Sequence, residues 1–508
     1  MEQPPPMPVG GPVGPSTTQH AIAPDRLERG LRRLMLDASF ATIVGTLNSG
    51  VVLVAYALYL GATPGVIGLL AAVPFLTQLL QAPAVLLLER IRRRRLVAIA
   101  SLLLARLALP LMAVLVFFDN RAIALSLLVI GETIHCAFNA VAGCAWNSWI
   151  RDLVPEERLG RFFARRTIWA TAIGVLGTAV AAGALELAGS GGDQRLVFFL
   201  LYIGGFIAGA ISTWQLALVP EPEMATGPAL RSFGELFRQP LRDRNFVRLI
   251  RFLASWQFAA NLAVPFFAIF FIQQLGYSPG FVLLLSIVSQ LSNLVLLRQW
   301  GALTDRFANK TVLAFAAPLF ILCIAAMALA AEMSGTTRTV YLIVLHVLMG
   351  MTSAGVTLAS STVILKLAPR GSSHVYVATA ALVSAAAAGS APLLGGALAE
   401  FFRARELVIA VGWNAPSGLS ALQLSFGWWQ LFFLISAAIG LYALHRLSFV
   451  EERGDVPPRE MLNHVLNTAR RSVRNASTIA GLRAAVAFPG GGLIEQRRRA
   501  TPPLKIPI

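Results

Sequence analysis

The feature that most constrains this chain is a series of long apolar stretches, each bounded by short clusters of charge. Each reaches roughly 20 residues or more, the length a helix needs to cross a bilayer core. Twelve can be delimited, at 34–60, 64–88, 96–118, 122–149, 163–187, 196–218, 248–274, 280–304, 311–333, 339–365, 374–402 and 424–447. A segment in lipid cannot hand its backbone N–H and C=O groups to water, so each stretch is expected to be a helix with its hydrogen bonds made internally. Only 13% of residues are charged, against about 25% in a soluble domain. The expected fold class is an all-α polytopic membrane protein whose core is the bundle of twelve transmembrane helices.

A net charge of +17 would suggest nucleic acid in a soluble chain. Its placement argues otherwise. With both termini in the cytoplasm, Arg121, Arg195, Arg338, Arg403 and Arg405 fall outside and Arg106 falls within a span. Every other Lys and Arg of the 42 lies inside. That is the positive-inside bias that orients membrane proteins. The chain is expected to be multi-pass in the cell inner (plasma) membrane with both termini cytoplasmic, and to have no nucleic-acid partner. Cys136, Cys144 and Cys323 fall in spans without metal spacing and read as packing residues. The sequence has no G-x-x-x-x-G-K-[ST] nucleotide loop. No metal or other cofactor is expected, and no nucleophile–base set points to an enzyme.

Five regions follow. Residues 1–30 are Pro- and Gly-rich at their start and expected to be disordered. Residues 31–218 form a first six-helix half, 219–247 a cytoplasmic connector, 248–448 a second six-helix half, and 449–508 a basic cytoplasmic tail. In the tail Met461, Val465, Ala469 and Val473 recur at helical spacing beside Arg470, Arg471 and Arg474. This fits a surface helix touching anionic lipid; a solvated tail is the alternative. Residues 406–423 are apolar for an external loop, and a re-entrant segment would explain them. Trp428 and Trp429 read as an interfacial belt.

Residues 301–310 read GALTDRFANK, at the edge of the eighth span, and a degenerate copy, VLLLERIRRR, stands at 85–94. There Glu89 takes the place of Asp305 and Arg90 that of Arg306. Leu60-Gly61-Ala62-Thr63 and Leu275-Gly276-Tyr277-Ser278 end the first and seventh spans, and Pro155 and Pro369 follow the fourth and tenth. Two six-span halves repeated in parallel are a transporter architecture.

GALTDRFANK resembles the loop motif of the major facilitator superfamily, G-x-L-x-D-R-x-G-R-R/K. Gly301, Leu303, Asp305, Arg306 and Lys310 match, while Ala308 and Asn309 depart; in the first copy Val85 replaces the glycine and Glu89 the aspartate. WNSWIRDLVPEERLGRFFARR (146–166) is similar to the joint after span four in bacterial members. The resemblance implies a gating latch: Asp305 facing Gly160, Arg161 and Arg165 at the start of span five, and Glu89 facing Ser372, Ser373 and His374 at the start of span eleven. The alternative is that these charges only set topology. The G-P-x-x-G-G motif of proton-linked drug exporters is missing from span five; APLLGG (391–396) in span eleven is a partial match.

Polar groups inside spans are expensive, about 2.5–3.5 kcal/mol for a charge at mid-bilayer. Glu132, His135 and Asn139 share one face of span four. Asn48 lies in span one, Gln257 and Asn261 in span seven, and His346 in span ten. The resemblance implies that spans one, four, seven and ten line a central cavity. These seven residues are therefore the candidate substrate-binding or proton-coupling set. Each amide alone could instead be interhelical glue, and His346 a packing histidine. Arg106 reads as structural, paired with Glu132 or a carbonyl, and Asp37 as reaching water or an arginine. The expected function is a monomeric secondary active transporter moving a small solute by alternating access, with proton coupling through Glu132 and His135. The rival is a non-transporting membrane protein of the same fold, docking a partner through its basic tail.

Overall fold

The computed structural model describes residues 23–463, apart from 190, 225–232, 370–372, 404, 406, 416–417 and 458, together with residue 467. Twelve helices are long and apolar enough to cross a membrane. In order they are Pro24–Tyr59, Pro64–Ile91, Arg94–Phe117, Arg121–Leu153, Arg158–Gly189 and Gln194–Ala217, then Arg244–Gln274, Pro279–Arg306, Asn309–Ala331, Gly335–Leu367, Val375–Phe402 and Trp428–Ser448. We call them spans one to twelve. An even number of crossings brings both ends of the described chain to one face, here called the terminal face; the opposite is the far face. Span one begins at Pro24, so the last residues of the segment expected to be disordered are helical instead. Proline at the first helical position costs nothing, because its missing N–H would have no partner there.

The sequence repeat has a structural counterpart. Gly61 (φ +88°) and Gly276 (φ +74°) both turn the chain in the left-handed region after spans one and seven. Each is followed by an extended Thr63 or Ser278 and then a proline that starts the next helix. Only glycine adopts that turn without a Cβ penalty.

The halves meet along span two against span eleven and span five against span eight. Small residues permit it. A side chain at Gly68 would run into the Pro392 carbonyl and the Gly396 backbone, and one at Gly280 into span five at Ala182 and Glu186. Ser278 Oγ donates to Glu186 Oε2 across the halves at 2.5 Å. These contacts belong to the far-face side. Toward the terminal face span two carries Pro74 and a 3₁₀ turn at Thr77–Leu80. A proline removes one helical hydrogen bond and crowds the preceding turn. Beyond it, Gln81–Ile91 packs chiefly within its own half, so the halves part toward the terminal face.

The described residues between 407 and 423 do not form a re-entrant segment. Strands β1 (Leu407–Ala415) and β2 (Gly418–Phe426) pair antiparallel, Leu407 opposite Phe426 and Ala415 opposite Gly418. A two-stranded ribbon has unpaired edges, which cannot sit in hydrocarbon; it stands outside the membrane at the far face. It is the only strand pairing among the described residues. Trp429 is also not a belt residue. It is buried, stacked on Trp428 at 3.8 Å and packed on Phe270 and Phe433.

Candidate functional site

Between the halves lies a cavity of about 390 Å³. Span five contributes Thr167 and Thr171, four residues apart and so on one face. Span eight contributes Ser289, Gln290 and Asn293, and span ten Ser353. Val264, Phe320 and Met349 supply apolar walls. The polar residues are half-buried except Thr167, which is exposed. Gly350 brings span ten close enough that a side chain there would meet the Ser289 carbonyl. Among the described residues lining the cavity none is charged. Hydroxyls and amides can both donate and accept, so the walls can hydrogen-bond an uncharged polar molecule from several sides. A bare ion would find no counter-charge there.

The residues singled out in the sequence go elsewhere. Asn48 is buried inside the first half, its Nδ2 reaching the Leu201 carbonyl at 3.5 Å and its Oδ1 without a partner. Glu132 is buried too, accepting from Cys136 Sγ at 3.2 Å. His135 Nδ1 meets the Ala105 carbonyl of span three at 2.9 Å. Asn139 Nδ2 turns back to the His135 carbonyl, 2.8 Å, and Asn261 Nδ2 likewise to that of Gln257, 2.8 Å. His346 is buried against Phe271, with Nδ1 2.8 Å from the Leu342 carbonyl of its own helix. Shared depth did not mean shared cavity. Of these residues, Glu132 and His135 lie on one buried face of span four, and none is among those lining the polar cavity.

Two further expectations need correction. Asp37 does not reach water; it is buried and accepts from Ser212 Oγ at 2.7 Å, and it is the arginine half of the expectation that holds, with Arg166 and Arg106 close enough to act on its charge. Arg106 makes no ion pair with Glu132 among the described residues, and its Nε has no partner. The cavity's own residues were missed because Thr, Ser, Asn and Gln each serve as ordinary helix glue. The available signal was Ser289-Gln290-x-x-Asn293, three polar groups on one side of an apolar helix.

At the latch, Gly301 and Glu89 are half-buried, while Arg90, Asp305, Arg306, Arg161 and Arg165 are exposed. No ion pair or hydrogen bond joins Asp305 to Arg161 or Arg165 among the described residues. Ser372 lies outside the described residues, as do the side chains of Ser373 and His374. This lack of contact at the terminal face agrees with halves that meet farther up.

A family model described as Major Facilitator Superfamily matches residues 38–392 and 257–494. No curated protein matches the chain. Solved structures do. The nucleoside transporter NupG, in a mutant form, aligns with TM-score 0.63 at 15% identity, covering 83% of this chain and all of that one (100%). A bacterial homologue of the iron transporter ferroportin, inward-facing, aligns with TM-score 0.64 at 12% identity over 84% of this chain and 99% of the other. A bacterial homologue of the human lysosomal transporter Spinster, inward-facing and unoccupied, gives 0.57 at 16% over 85% and 99%. At such identities the likeness concerns the fold alone. Two six-span halves, a polar cavity between them and a family model spanning most of the sequence lead to one conclusion: the chain belongs to the major facilitator superfamily, whose fold it adopts as a membrane transporter.

Proposed function

We propose that the protein is a secondary active transporter for a small uncharged polar solute, bound between the halves at Thr171, Gln290, Asn293 and Ser353. The observation that carries this is the cavity itself: it draws walls from both halves, lies where they begin to part, and offers hydroxyls and amides without charge. Rocking of one half on the other would expose it to each side in turn. The positive-inside bias supports a cytoplasmic terminal face in the cell inner membrane, so this state would be open inward. Asp305 would then re-engage Arg161 and Arg165 when the inner side closes. Proton coupling remains assigned to Glu132 and His135. A carboxylate buried in a span needs a reason, and its link to the solute would run through movement of span four rather than direct contact. The nucleoside transporter among the structural neighbours selects one probe for the test.

The test is flux into proteoliposomes with labelled nucleosides, sugars, polyols, organic acids and cationic drugs, with and without a pH gradient. An uncharged solute should be carried. Gln290→Leu and Asn293→Leu should raise its KM at least tenfold. Glu132→Gln should abolish response to the gradient, and Asp305→Asn should insert normally but lose turnover. Transport confined to charged solutes, unaffected by Gln290→Leu, would overturn the site.

A further inference from the structure

The halves touch at two seams on the far-face side, span two against span eleven and span five against span eight. Both are built on glycine. A Cβ at Gly396 would lie 3.0 Å from the Gly65 Cα and from the Pro64 carbonyl, and one at Gly280 2.8 Å from the Ala182 carbonyl. One turn beyond Gly396 on span eleven stands Glu400, and one turn beyond Ala182 on span five stands Glu186. The two acids are used differently. Glu400 lies 3.9 Å from Arg403 of its own half, and the side chain of Thr63, just before span two, makes no capping hydrogen bond. Glu186 reaches across the seam instead. Ser278 Oγ accepts the Phe281 N–H at 3.1 Å, which caps span eight, and donates its own proton to Glu186 Oε2 at 2.5 Å.

This seats an anion of the first half on the N-terminus of a helix of the second. The first amides of a helix lack internal partners and carry the positive end of its dipole. The carboxylate is therefore held by the hydroxyl and by the field behind it. Gly280 lets it approach: Glu186 Oε2 lies 2.6 Å from where a Cβ on Gly280 would stand. We propose that Glu186 is a far-face latch. Its contact with Ser278 holds the far side shut in the present conformation and breaks when the cavity opens to that side. Glu186 is exposed, so water takes over its hydrogen bond when the seam parts and no group is left stranded. A buried ion pair would resist such release. Two conformations close in free energy need only a small bias of this kind. The proposal rests on the alternating-access reading above and not on which solute the cavity takes.

The test is double electron–electron resonance on the full-length protein in lipid nanodiscs, in a Cys136→Ala, Cys144→Ala, Cys323→Ala background. Spin labels at Gln194→Cys and Gln274→Cys straddle the halves at the far face, and labels at Arg93→Cys and Arg298→Cys straddle them at the terminal face; all four positions are exposed. Glu186→Ala should raise the population with a long far-face distance about threefold or more. The population with a short terminal-face distance should rise in the same proportion. Glu186→Gln keeps an oxygen for Ser278 and should shift both less. Gly280→Ala, whose methyl must push the Ala182 carbonyl away, should move both pairs as Glu186→Ala does. A far-face distance that broadens while the terminal-face pair stays put would reduce Glu186 to local packing and overturn the latch. If Gly280→Ala moved both pairs and Glu186→Ala neither, the seam would gate without the carboxylate, and the latch alone would fall. If neither variant moved either pair, rocking about these seams would fall with it.

Discussion

The two halves fasten their third helices in the same place with opposite charge. In the first half Glu221 Oε1 accepts from the Arg95 N–H at 3.1 Å, in the first turn of span three. In the second, Glu452 Oε2 accepts from the Lys310 N–H at 2.7 Å, in the first turn of span nine. Both carboxylates come from the segment after the sixth span of their half. Both satisfy a backbone donor that lacks a helical partner and meet the positive end of the dipole. The buried charge differs. In the first half it is Arg94, 1% exposed, which pairs with Asp152 and donates to the Ser148 and Pro222 carbonyls at 3.1 and 2.9 Å. The residue that opens the corresponding helix in the second half is Asn309. There the buried charge is Glu452, 5% exposed, taking the Asn309 Nδ2 at 2.9 Å with Lys366 Nζ at 3.7 Å. The repeat keeps the joint and inverts its sign: a cation ringed by acceptors in one half, an anion ringed by donors in the other.

That contrast is breakable. Arg94→Ala should cost most, about 3 kcal/mol, chiefly because it leaves the Ser148 and Pro222 carbonyls without a donor, while Asp152, 44% exposed, can turn to water. The check is the thermal unfolding midpoint in detergent; a loss below about 1 kcal/mol would show that the guanidinium does not hold this joint. Glu452→Ala removes the cap and strands the Asn309 amide, at about 2–3 kcal/mol. Glu452→Gln keeps one acceptor and should recover part of that loss, which separates hydrogen bonding from charge. Glu221→Ala removes a cap from a half-exposed site and should cost about 1 kcal/mol. If Glu221→Ala proved as harmful as Glu452→Ala, the asymmetry would be wrong.

The halves were legible in the sequence because their boundaries are written in length and charge. The turns Leu60-Gly61 and Leu275-Gly276 could be matched because only glycine fits them. The joints could not be, since Glu221 and Glu452 reach back more than a hundred residues to helices that give no sign of needing them. The tail illustrates this. Its overall charge is basic, yet its start is acidic: Glu451 pairs with Arg248, and Asp455 with Lys310 and Thr311. Met461 is fully buried; Val465, Ala469, Arg470, Arg471, Val473 and Arg474 lie outside the described residues. A deletion meant to test the tail as a docking segment should therefore begin after Met461, since one starting at 455 would also remove a structural clamp. The polar cavity was illegible for a different reason. Glu132 and His135 are more conspicuous than Thr171 or Asn293, but a strongly polar group in a span is often one the half folds around, whereas weakly polar ones can be left facing a cavity.

The smallest expected effect sharpens the comparison furthest. Lys366 stands 3.7 Å from Glu452 but is 46% exposed, and a pair open to water contributes at most about 1 kcal/mol. Lys366→Gln should lower stability by no more than that at low salt. Raising the ionic strength from about 0.1 M to 1 M shortens the screening length from about 10 Å to 3 Å, and the difference between Lys366→Gln and wild type should vanish. The cost of Arg94→Ala should hardly change, because its guanidinium is buried and screened little. A salt-insensitive Lys366→Gln would mean that the donors around Glu452 form one closed network. Each half would then hold one buried charge that salt does not reach, Arg94 in the first and Glu452 in the second.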